Sequence, residues 1–308
     1  MAFQTELGLV TAPQQFLYRE PGGASASRGV GPQEDDVFSG WAVQILEEAR
    51  EGWVRVRTHY GYEGWMRRES LRPLTKDELT VRQDGVRFPL VTDAWTDLHG
   101  EPSVKGDLLA TLPRGSIAER LPDPDRDGWI RVRSADGTEG WAQPDALRDR
   151  KDDDLFLLEG NGDLNWFRRH GEAKIREAGE AELRAAVVRS ALSRLGAPYR
   201  WGGKSPEGID CSGLAFMSWM ENGYLIWRDA SIRPDYPVHA IERSKLQKGD
   251  LIFFPGHVAV CIGGGKYVHA TAYRKTPRVT VNSLHPGDPD YRQDLAESIE
   301  ALGSLFIS

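Results

Sequence analysis

Alternating apolar and charged residues mark two short segments that repeat along the chain. Residues 52–57 read Gly-Trp-Val-Arg-Val-Arg, and residues 128–133 read Gly-Trp-Ile-Arg-Val-Arg. A period of two is typical of a strand with one buried face. Glu-Gly-Trp also occurs twice, at 63–65 and 139–141, with the same offset of 76 residues. The two copies predict an internal repeat of small β domains.

Turn-forming residues follow each alternating segment and keep the predicted strands short. Gly61 and Gly137 lie between the paired motifs, and the chain has 33 glycines and 10 tryptophans. We therefore predict two small all-β barrels, over residues 1–75 and 76–150. The order of the motifs, Gly-Trp and then Gly-Trp again, resembles bacterial SH3-like domains. The resemblance implies an SH3-like barrel for each copy.

The pattern changes in the second half of the chain. The charged run at 148–160 predicts a solvated linker, and we assign residues 151–179 to a linker and lead-in. After residue 180, apolar residues recur with helical spacing until Gly196 and Pro198 end the helix. An α+β domain is therefore predicted over residues 180–308.

Charge and cysteine content narrow the classes of function. The 308 residues carry 39 Lys and Arg against 46 Asp and Glu, a net charge of −7, which argues against a nucleic-acid partner. No apolar run is long enough to span a membrane and no secretory signal is seen, so we expect a cytoplasmic protein without a membrane partner. The only cysteines, Cys211 and Cys261, fit a reducing compartment. We expect no metal, no cofactor and a monomer.

Cys211 lies where a nucleophilic thiol is expected. It follows Gly208 and Asp210 in a glycine-rich segment that leads into a helix-like stretch. With Asp210 as N-cap, Cys211 would lie in the first turn, where backbone N–H groups and the helix dipole lower a thiol pKa. The alternative is a small buried apolar residue, which is our interpretation of Cys261 in mid-strand.

Two histidines flank a predicted hairpin and supply a candidate base. His257 begins one strand, His269 lies in the next, and the turn between them is Gly-Gly-Gly at 263–265. A turn centred on Gly264 pairs residues whose numbers sum to 528 and places both histidines on one face. A turn centred between two residues would separate them. The spacing of these histidines and Cys211 matches no known zinc pattern. The remaining histidines are predicted at the surface: His59, His99, His170, His239 and His285.

Five ordered motifs carry a family resemblance. They are Tyr-Arg-Trp-Gly-Gly at 199–203, Asp-Cys-Ser-Gly-Leu at 210–214, Leu-Gln-Lys-Gly-Asp-Leu-Ile-Phe-Phe at 246–254, His-Val-Ala-Val at 257–260 and Val-His-Ala at 268–270. Together they resemble the NlpC-type, papain-like cysteine peptidases of bacterial cell walls. The resemblance implies Cys211 as nucleophile, His257 as base and His269 as the residue that orients the base. It also implies that Tyr199 and the Cys211 backbone N–H stabilise the oxyanion.

Two SH3-like units before such a peptidase resemble the murein-peptide recycling branch, the γ-D-glutamyl-L-diamino acid endopeptidases. That branch releases L-Ala-γ-D-Glu from short stem peptides, tripeptides or tetrapeptides with a free N-terminal L-Ala, whose diamino acid is meso-diaminopimelate or L-Lys. The resemblance implies that several residues contact the substrate: Asp210, Ser212, Ser231, Tyr62 and Glu34. Most tryptophans are predicted in the barrel cores, and Trp201 is the first candidate among those that line the cleft. At Glu34 the chain reads Glu-Asp-Asp, where the branch has Glu-x-Gln.

Two other functions remain open at this point. An exported hydrolase would act on intact wall, and a wall-binding protein would keep its SH3-like domains beside an inactive peptidase domain. The complete set of Cys211, His257 and His269 favours an active enzyme.

Overall fold

The computed structural model describes residues 6–22, 33–273 and 277–306. The chain divides into two compact units, Met1–Gly162 and Asp163–Ser308. The elements of the first unit are β1 (Glu6–Val10), β2 (Gln14–Tyr18), β3 (Gln33–Phe38), β4 (Ala42–Glu48), β5 (Trp53–Thr58), β6 (Glu63–Arg67), β7 (Leu71–Leu74), α1 (Lys76–Val81), β8 (Leu90–Val91), β9 (Trp95–His99), β10 (Leu108–Pro113), β11 (Glu119–Arg120), β12 (Ile130–Arg133), β13 (Glu139–Ala142), β14 (Leu147–Arg148) and α2 (Leu155–Glu159).

The predicted repeat is confirmed in the pairing of its strands. In the described residues, one sheet has the order β3-β2-β6-β5-β4-β1-β7 and a second has the order β10-β9-β13-β12-β11. Arg55 pairs with Trp65 in the first sheet, and Arg131 pairs with Trp141, 76 residues on, in the second. The two copies therefore fold with the same strand register.

Each Glu-Gly-Trp motif needs its glycine for a close approach. A Cβ on Gly64 would lie 2.8 Å from Leu17 Cβ, and a Cβ on Gly140 would lie 2.9 Å from Leu98 Cβ. Both leucines are completely buried. The repeated glycine thus lets one strand lie against a core leucine in each copy.

The charged run at 148–160 was expected to be solvated. Arg148, Asp149 and Lys151 are exposed, but the expectation is wrong for three other charged residues. Arg150, Asp152 and Asp154 are buried, and Arg150 Nη2 donates to Asp154 Oδ2 at 3.0 Å. His59, predicted at the surface, is also completely buried, 3.6 Å from an Asp152 oxygen. Opposite charges that pair can leave water together, and a charge pattern alone does not reveal such pairing.

The second unit is an α+β domain. Its elements are α3 (Asn165–Arg176), α4 (Glu180–Leu192), β15 (Lys204–Ser205), β16 (Gly208–Ile209), α5 (Cys211–Met220), β17 (His239–Ala240), β18 (Leu251–Phe254), β19 (His257–Gly263), β20 (Lys266–Thr271), β21 (Arg278–Ser283), α6 (Gln293–Ala296) and β22 (Ala301–Ser304). Its main sheet has the order β17-β22-β18-β19-β20-β21, with antiparallel neighbours. No helix among the described residues is long and apolar enough to cross a membrane.

The central helix α5 packs against the sheet. Every residue from Cys211 to Met220 is buried, so the helix is enclosed on all sides and lies in the core. It contacts α4 on one side and strands β19 and β20 on another. This packing brings the first turn of α5 to the strands that carry the two predicted histidines.

Candidate active site

Cys211 is the first residue of α5, as the sequence predicts. Asp210 is the N-cap, and its Oδ1 accepts a hydrogen bond from the Gly213 backbone N–H at 2.6 Å. This bond satisfies one of the amides that a helix leaves unpaired in its first turn. The Cys211 thiol is therefore held at a fixed helix terminus.

The two glycine-containing motifs interlock around this terminus. The Gly202 N–H donates to Asp210 Oδ2 at 2.8 Å, and the Asp210 N–H donates to the Gly203 carbonyl at 3.1 Å. A Cβ on Gly213 would lie 2.3 Å from the Gly203 oxygen. The Gly-Gly and Ser-Gly pairs thus let the loop reach the first turn of α5 and fix the position of Cys211.

A buried arginine, for which the sequence analysis predicts no role, completes this network. Arg228 is 1% exposed, and its Nη1 and Nη2 donate to Oδ1 and Oδ2 of Asp210 at 3.1 and 3.2 Å. Nη1 also donates to Ser212 Oγ at 2.8 Å. Asp210 and Ser212 are thus held from the side that faces Arg228, and their predicted substrate contacts stay predictions.

The hairpin has the predicted register. Val260 pairs with Val268 and Cys261 with Tyr267, so the paired numbers sum to 528 as far as a bulge beside the turn. His257 Nε2 lies 2.7 Å from His269 Nδ1, which confirms that both histidines lie on one face. Nowhere in residues 6–22, 33–273 and 277–306 do three or more His, Cys, Asp or Glu side chains form a group able to hold a metal ion.

Asn282 extends the histidine pair, and sequence reasoning missed it. His269 Nε2 lies 2.9 Å from Asn282 Oδ1, and Asn282 Nδ2 donates to the Asp290 carbonyl at 2.7 Å. The available signal was a polar amide at the end of the alternating segment Val-Thr-Val-Asn at 279–282, for which no strand was predicted. A single sequence does not indicate which neighbouring strand such a side chain meets.

The thiol pKa differs from the sequence-based expectation. Burial, and then the nearby Asp210 carboxylate, raise the pKa of Cys211 to about 12. The backbone N–H groups of Val258 and Ser212 and the charge of Arg228 act in the opposite direction but do not compensate. The expected lowering is therefore wrong, because desolvation outweighs the effect of the helix terminus.

Burial also keeps the histidines neutral. It lowers the pKa of His257 to about 3, with further contributions from His269 and Arg292. It lowers the pKa of His269 to about 4, although the hydrogen bond to Asn282 acts to raise it. At neutral pH the site thus holds a neutral thiol and neutral imidazoles, and His257 is able to accept a proton.

Tyr199 lies close to the nucleophile. Burial, and then the neighbouring Cys211 and Asp210, raise the pKa of its phenol, so it stays a protonated donor. Its backbone N–H donates to the Pro277 carbonyl at 3.1 Å. Trp201, in the adjacent turn, is 48% exposed.

Ser212 and Ser231 line one small cavity beside α5. The cavity also contacts Val258, whose backbone N–H faces the Cys211 sulfur, and Trp227. Ser231 is exposed, and its backbone N–H donates to the Asp229 carbonyl at 2.8 Å. The two serines predicted to contact substrate are therefore brought together.

Two residues of the first unit, Glu34 and Tyr62, are predicted to contact the substrate. Glu34, on β3, accepts a hydrogen bond from Arg19 Nε at 2.7 Å. Tyr62 is buried and lies close enough to Arg19 to contribute to the raised pKa of that guanidinium, so it is near the same ion pair. Their contact with substrate stays a prediction.

Comparison with known proteins gives a consistent result. Residues 196–291 match the NlpC/P60 family. The chain is 37% identical over 274 residues to dipeptidyl-peptidase 6 of Lysinibacillus sphaericus, which covers 88% of this chain and 92% of that protein. It is 28% identical over 282 residues to a gamma-D-glutamyl-L-lysine dipeptidyl-peptidase of Bacillus cereus, covering 85% and 73%.

A solved structure has the same overall fold. It is an NlpC/P60 family protein from Bacillus cereus, with a TM-score of 0.70 at 21% identity, and the match covers 96% of this chain and 98% of that one. The match to dipeptidyl-peptidase 6 spans most of both proteins, so it extends well beyond the residues that match the NlpC/P60 family. The chain belongs to the NlpC/P60 family of cysteine peptidases.

Proposed function

We propose that this protein hydrolyses the γ-D-glutamyl–diamino acid bond of short murein stem peptides and releases L-Ala-γ-D-Glu. The observation that carries the proposal is the 2.7 Å contact between His257 and His269 in the unit where Cys211 begins α5. The choice of bond is supported by two similar proteins that are named dipeptidyl-peptidases. The name of one of them includes gamma-D-glutamyl-L-lysine.

The proposed reaction starts from a neutral Cys211 thiol and a neutral His257 imidazole. As the sulfur of Cys211 attacks the γ-carbonyl carbon, its proton moves to His257. The oxyanion accepts hydrogen bonds from the Tyr199 hydroxyl and the Cys211 backbone N–H. His257 then gives the proton to the leaving amine, and a thioester remains. Water, deprotonated by His257, hydrolyses the thioester and restores the thiol.

The cavity lined by Ser212 and Ser231 is where we propose that the D-glutamyl residue binds. It adjoins Val258, whose N–H faces the nucleophilic sulfur. Hydroxyl groups at this position suit the α-carboxylate that a γ-linked glutamate leaves free. The Asp210 carboxylate would accept a hydrogen bond from the peptide's ammonium group, in addition to those it accepts from its donors within the protein.

We further propose that the first unit contains two SH3-like domains and that the enzyme recycles internalised peptides in the cytoplasm. The matched strand register of the two copies supports the first part. Both cysteines are free thiols, which suits a reducing compartment. Glu34 and Tyr62 would recognise the free N-terminal amine.

The direct experiment is incubation with L-Ala-γ-D-Glu-meso-diaminopimelate and its L-Lys analogue, followed by mass spectrometry. We expect the dipeptide L-Ala-γ-D-Glu from wild type and none from Cys211→Ala. An N-acetylated peptide is expected to react much more slowly. The absence of dipeptide with both substrates, or its persistence in Cys211→Ala, would refute the proposal.

Two controls separate the remaining alternatives. Digestion of intact sacculi in preference to free tripeptide would identify a wall hydrolase. Retention of Cys211→Ala on sacculi, with wild type inactive, would identify a wall-binding protein.

Glu34→Gln and Tyr62→Phe test recognition of the free amine. Both are expected to reduce the preference for a peptide with a free N-terminal amine over an acetylated one, and an unchanged preference would exclude their role.

A further inference from the structure

Asn282 ends a chain of close contacts that runs through both active-site histidines. We propose that it is a positioning residue, whose amide holds His269 as the Nε2–H tautomer and thereby leaves Nδ1 of His257 as the base. All the hydrogen bonds in this chain of contacts lie in the second unit. The proposal goes beyond the position of His257 and His269. It rests on the proposed peptidase reaction for its kinetic test, but not for its spectroscopic test.

The orientation of the Asn282 amide is set by a backbone carbonyl. The Asp290 oxygen can only accept, so the group that faces it at 2.7 Å must be Nδ2, and Oδ1 must face His269. The same carbonyl accepts the Ser283 N–H at 3.1 Å. Lys266 Nζ lies 3.1 Å from an Asp290 carboxylate oxygen and holds the returning loop against β20. The amide therefore has one satisfied orientation.

The fixed amide determines the tautomer of His269. Asn282 Oδ1 is an acceptor, so the His269 Nε2 at 2.9 Å must be the protonated nitrogen. His269 is completely buried, so bulk solvent does not reach its ring nitrogens to satisfy a different arrangement. A neutral imidazole carries only one N–H, and therefore Nδ1 of His269 is an acceptor.

The same reasoning passes to His257. Its Nε2 lies 2.7 Å from His269 Nδ1 and must donate to it. The lone pair of a neutral His257 is then on Nδ1, the nitrogen left to accept the thiol proton. The reversed chain would set the lone pairs of His269 Nε2 and Asn282 Oδ1 against each other inside the core, which is costly.

Other groups near the pair do not supply this control. Tyr267 meets the His269 ring edge-on, with ring centroids 5.1 Å apart. Arg292 and Asp294 affect the pKa of His269 through their charges, not through a hydrogen bond to its ring. Thr280 pairs with His269 across β20 and β21, but its hydroxyl donates to the Val281 carbonyl. Asn282 is the side chain bonded to His269 Nε2.

The test compares three variants of the full chain. Asn282→Leu removes both amide contacts at similar size, Asn282→Asp keeps an acceptor for His269 Nε2, and Thr280→Val is the matched control on the same strand face. Nitrogen-15 NMR of the imidazoles should find His269 protonated at Nε2 in wild type and Thr280→Val. In Asn282→Leu a substantial Nδ1–H population should appear.

Kinetics should separate positioning from folding. We expect kcat of Asn282→Leu to fall about 10- to 100-fold, with KM within about twofold, because the substrate contacts remain. Asn282→Asp should recover part of kcat. It should also move the acid limb of the pH profile to higher pH, because its carboxylate stabilises a charged imidazole. A merely structural role would not move that limb.

The opposite results would overturn the proposal. They are an Nδ1–H tautomer of His269 in wild type, or an unchanged kcat and tautomer in Asn282→Leu. If Asn282→Leu does not fold, the tautomer in wild type and the pH profile of Asn282→Asp decide the question. If wild type does not cleave the stem peptide, the proposed function fails, and the NMR result still tests the role of Asn282.

Discussion

Single residues at the candidate site have their acidity set by burial. Desolvation raises the pKa of Cys211 and lowers the pKa values of His257 and His269, so each group is uncharged at neutral pH. A thiolate–imidazolium pair is therefore not the resting state. The proton must leave the sulfur as the sulfur attacks, and the base must be correctly oriented in advance.

The pH profile of the reaction should reflect the lowered pKa of His257. A protonated His257 cannot accept the thiol proton, so activity is lost as pH falls through its folded-state pKa of about 3. We expect the acid limb of kcat/KM well below pH 6.5. In the unfolded chain these histidines bind protons near pH 6.5, so the free energy of unfolding falls as the pH drops below that value. Circular dichroism at each pH therefore checks that a loss of activity is not a loss of fold. An acid limb at or above pH 6.5 would contradict this prediction.

Arg228 should be essential to the stability of the site. Arg228→Met leaves the Asp210 carboxylate buried without its cation, which costs about 3–5 kcal/mol in comparable sites. Arg228→Lys should recover only part of this loss, because an ammonium cannot bond both carboxylate oxygens and Ser212 together. Denaturant unfolding measures the effect, and the exposed Arg243→Met is the control. Equal stabilities of the two Met variants would exclude this role.

A residue's role could be predicted from the sequence when its partners are adjacent in the chain, and not when they lie in other elements. Cys211 and Asp210 were predictable, because an N-cap and a first turn are written in adjacent residues. Arg228 and Asn282 were not assigned roles, because their partners lie in other elements: 18 positions separate Arg228 from Asp210, and 13 separate Asn282 from His269. The sign of the Cys211 shift was missed because burial of the entire helix is a tertiary property.

At the scale of elements, the site depends on close packing at the start of α5. The loop before the helix reaches it only because Gly213 has no side chain toward the Gly203 carbonyl. The β19–β20 hairpin contributes the histidines with a register that the Gly-Gly-Gly turn made predictable. The charged run at 148–160 misled because its ion pairs form inside the first unit.

Gly213→Ala should displace the loop from α5. Its Cβ would lie 2.3 Å from the Gly203 oxygen, and that backbone must shift. We expect a loss of about 1–3 kcal/mol of stability and a marked fall in kcat as Cys211 moves. Gly287→Ala, where a Cβ meets nothing within 4 Å, is the control. Wild-type kcat in Gly213→Ala would show that this approach does not position the nucleophile.

At the scale of the whole molecule, the repeated sheets of the first unit are joined by buried hydrogen bonds. Trp41 Nε1 donates to the Gly115 carbonyl at 2.7 Å, and the Ile117 N–H donates to the Ser39 carbonyl at 2.8 Å. Arg82 Nη2 donates to the Gly40 carbonyl. The two copies are therefore expected to unfold together rather than as independent domains.

Trp41→Phe should weaken both sheets at once. It removes the indole donor and leaves the Gly115 carbonyl unsatisfied, at a cost of about 1–3 kcal/mol. Hydrogen exchange should report faster opening in both copies of the repeat, while the half-exposed Trp95→Phe should have little effect. Faster exchange confined to the first copy would contradict a joint unfolding unit.

The two thiols, taken over the whole chain, imply resistance to oxidative damage. Cys211 and Cys261 are both buried, and burial raises both pKa values, so little thiolate is present at neutral pH. Peroxide oxidises thiolates far faster than thiols. The idle enzyme should thus survive oxidant exposure and expose a reactive sulfur only while a peptide is being cleaved.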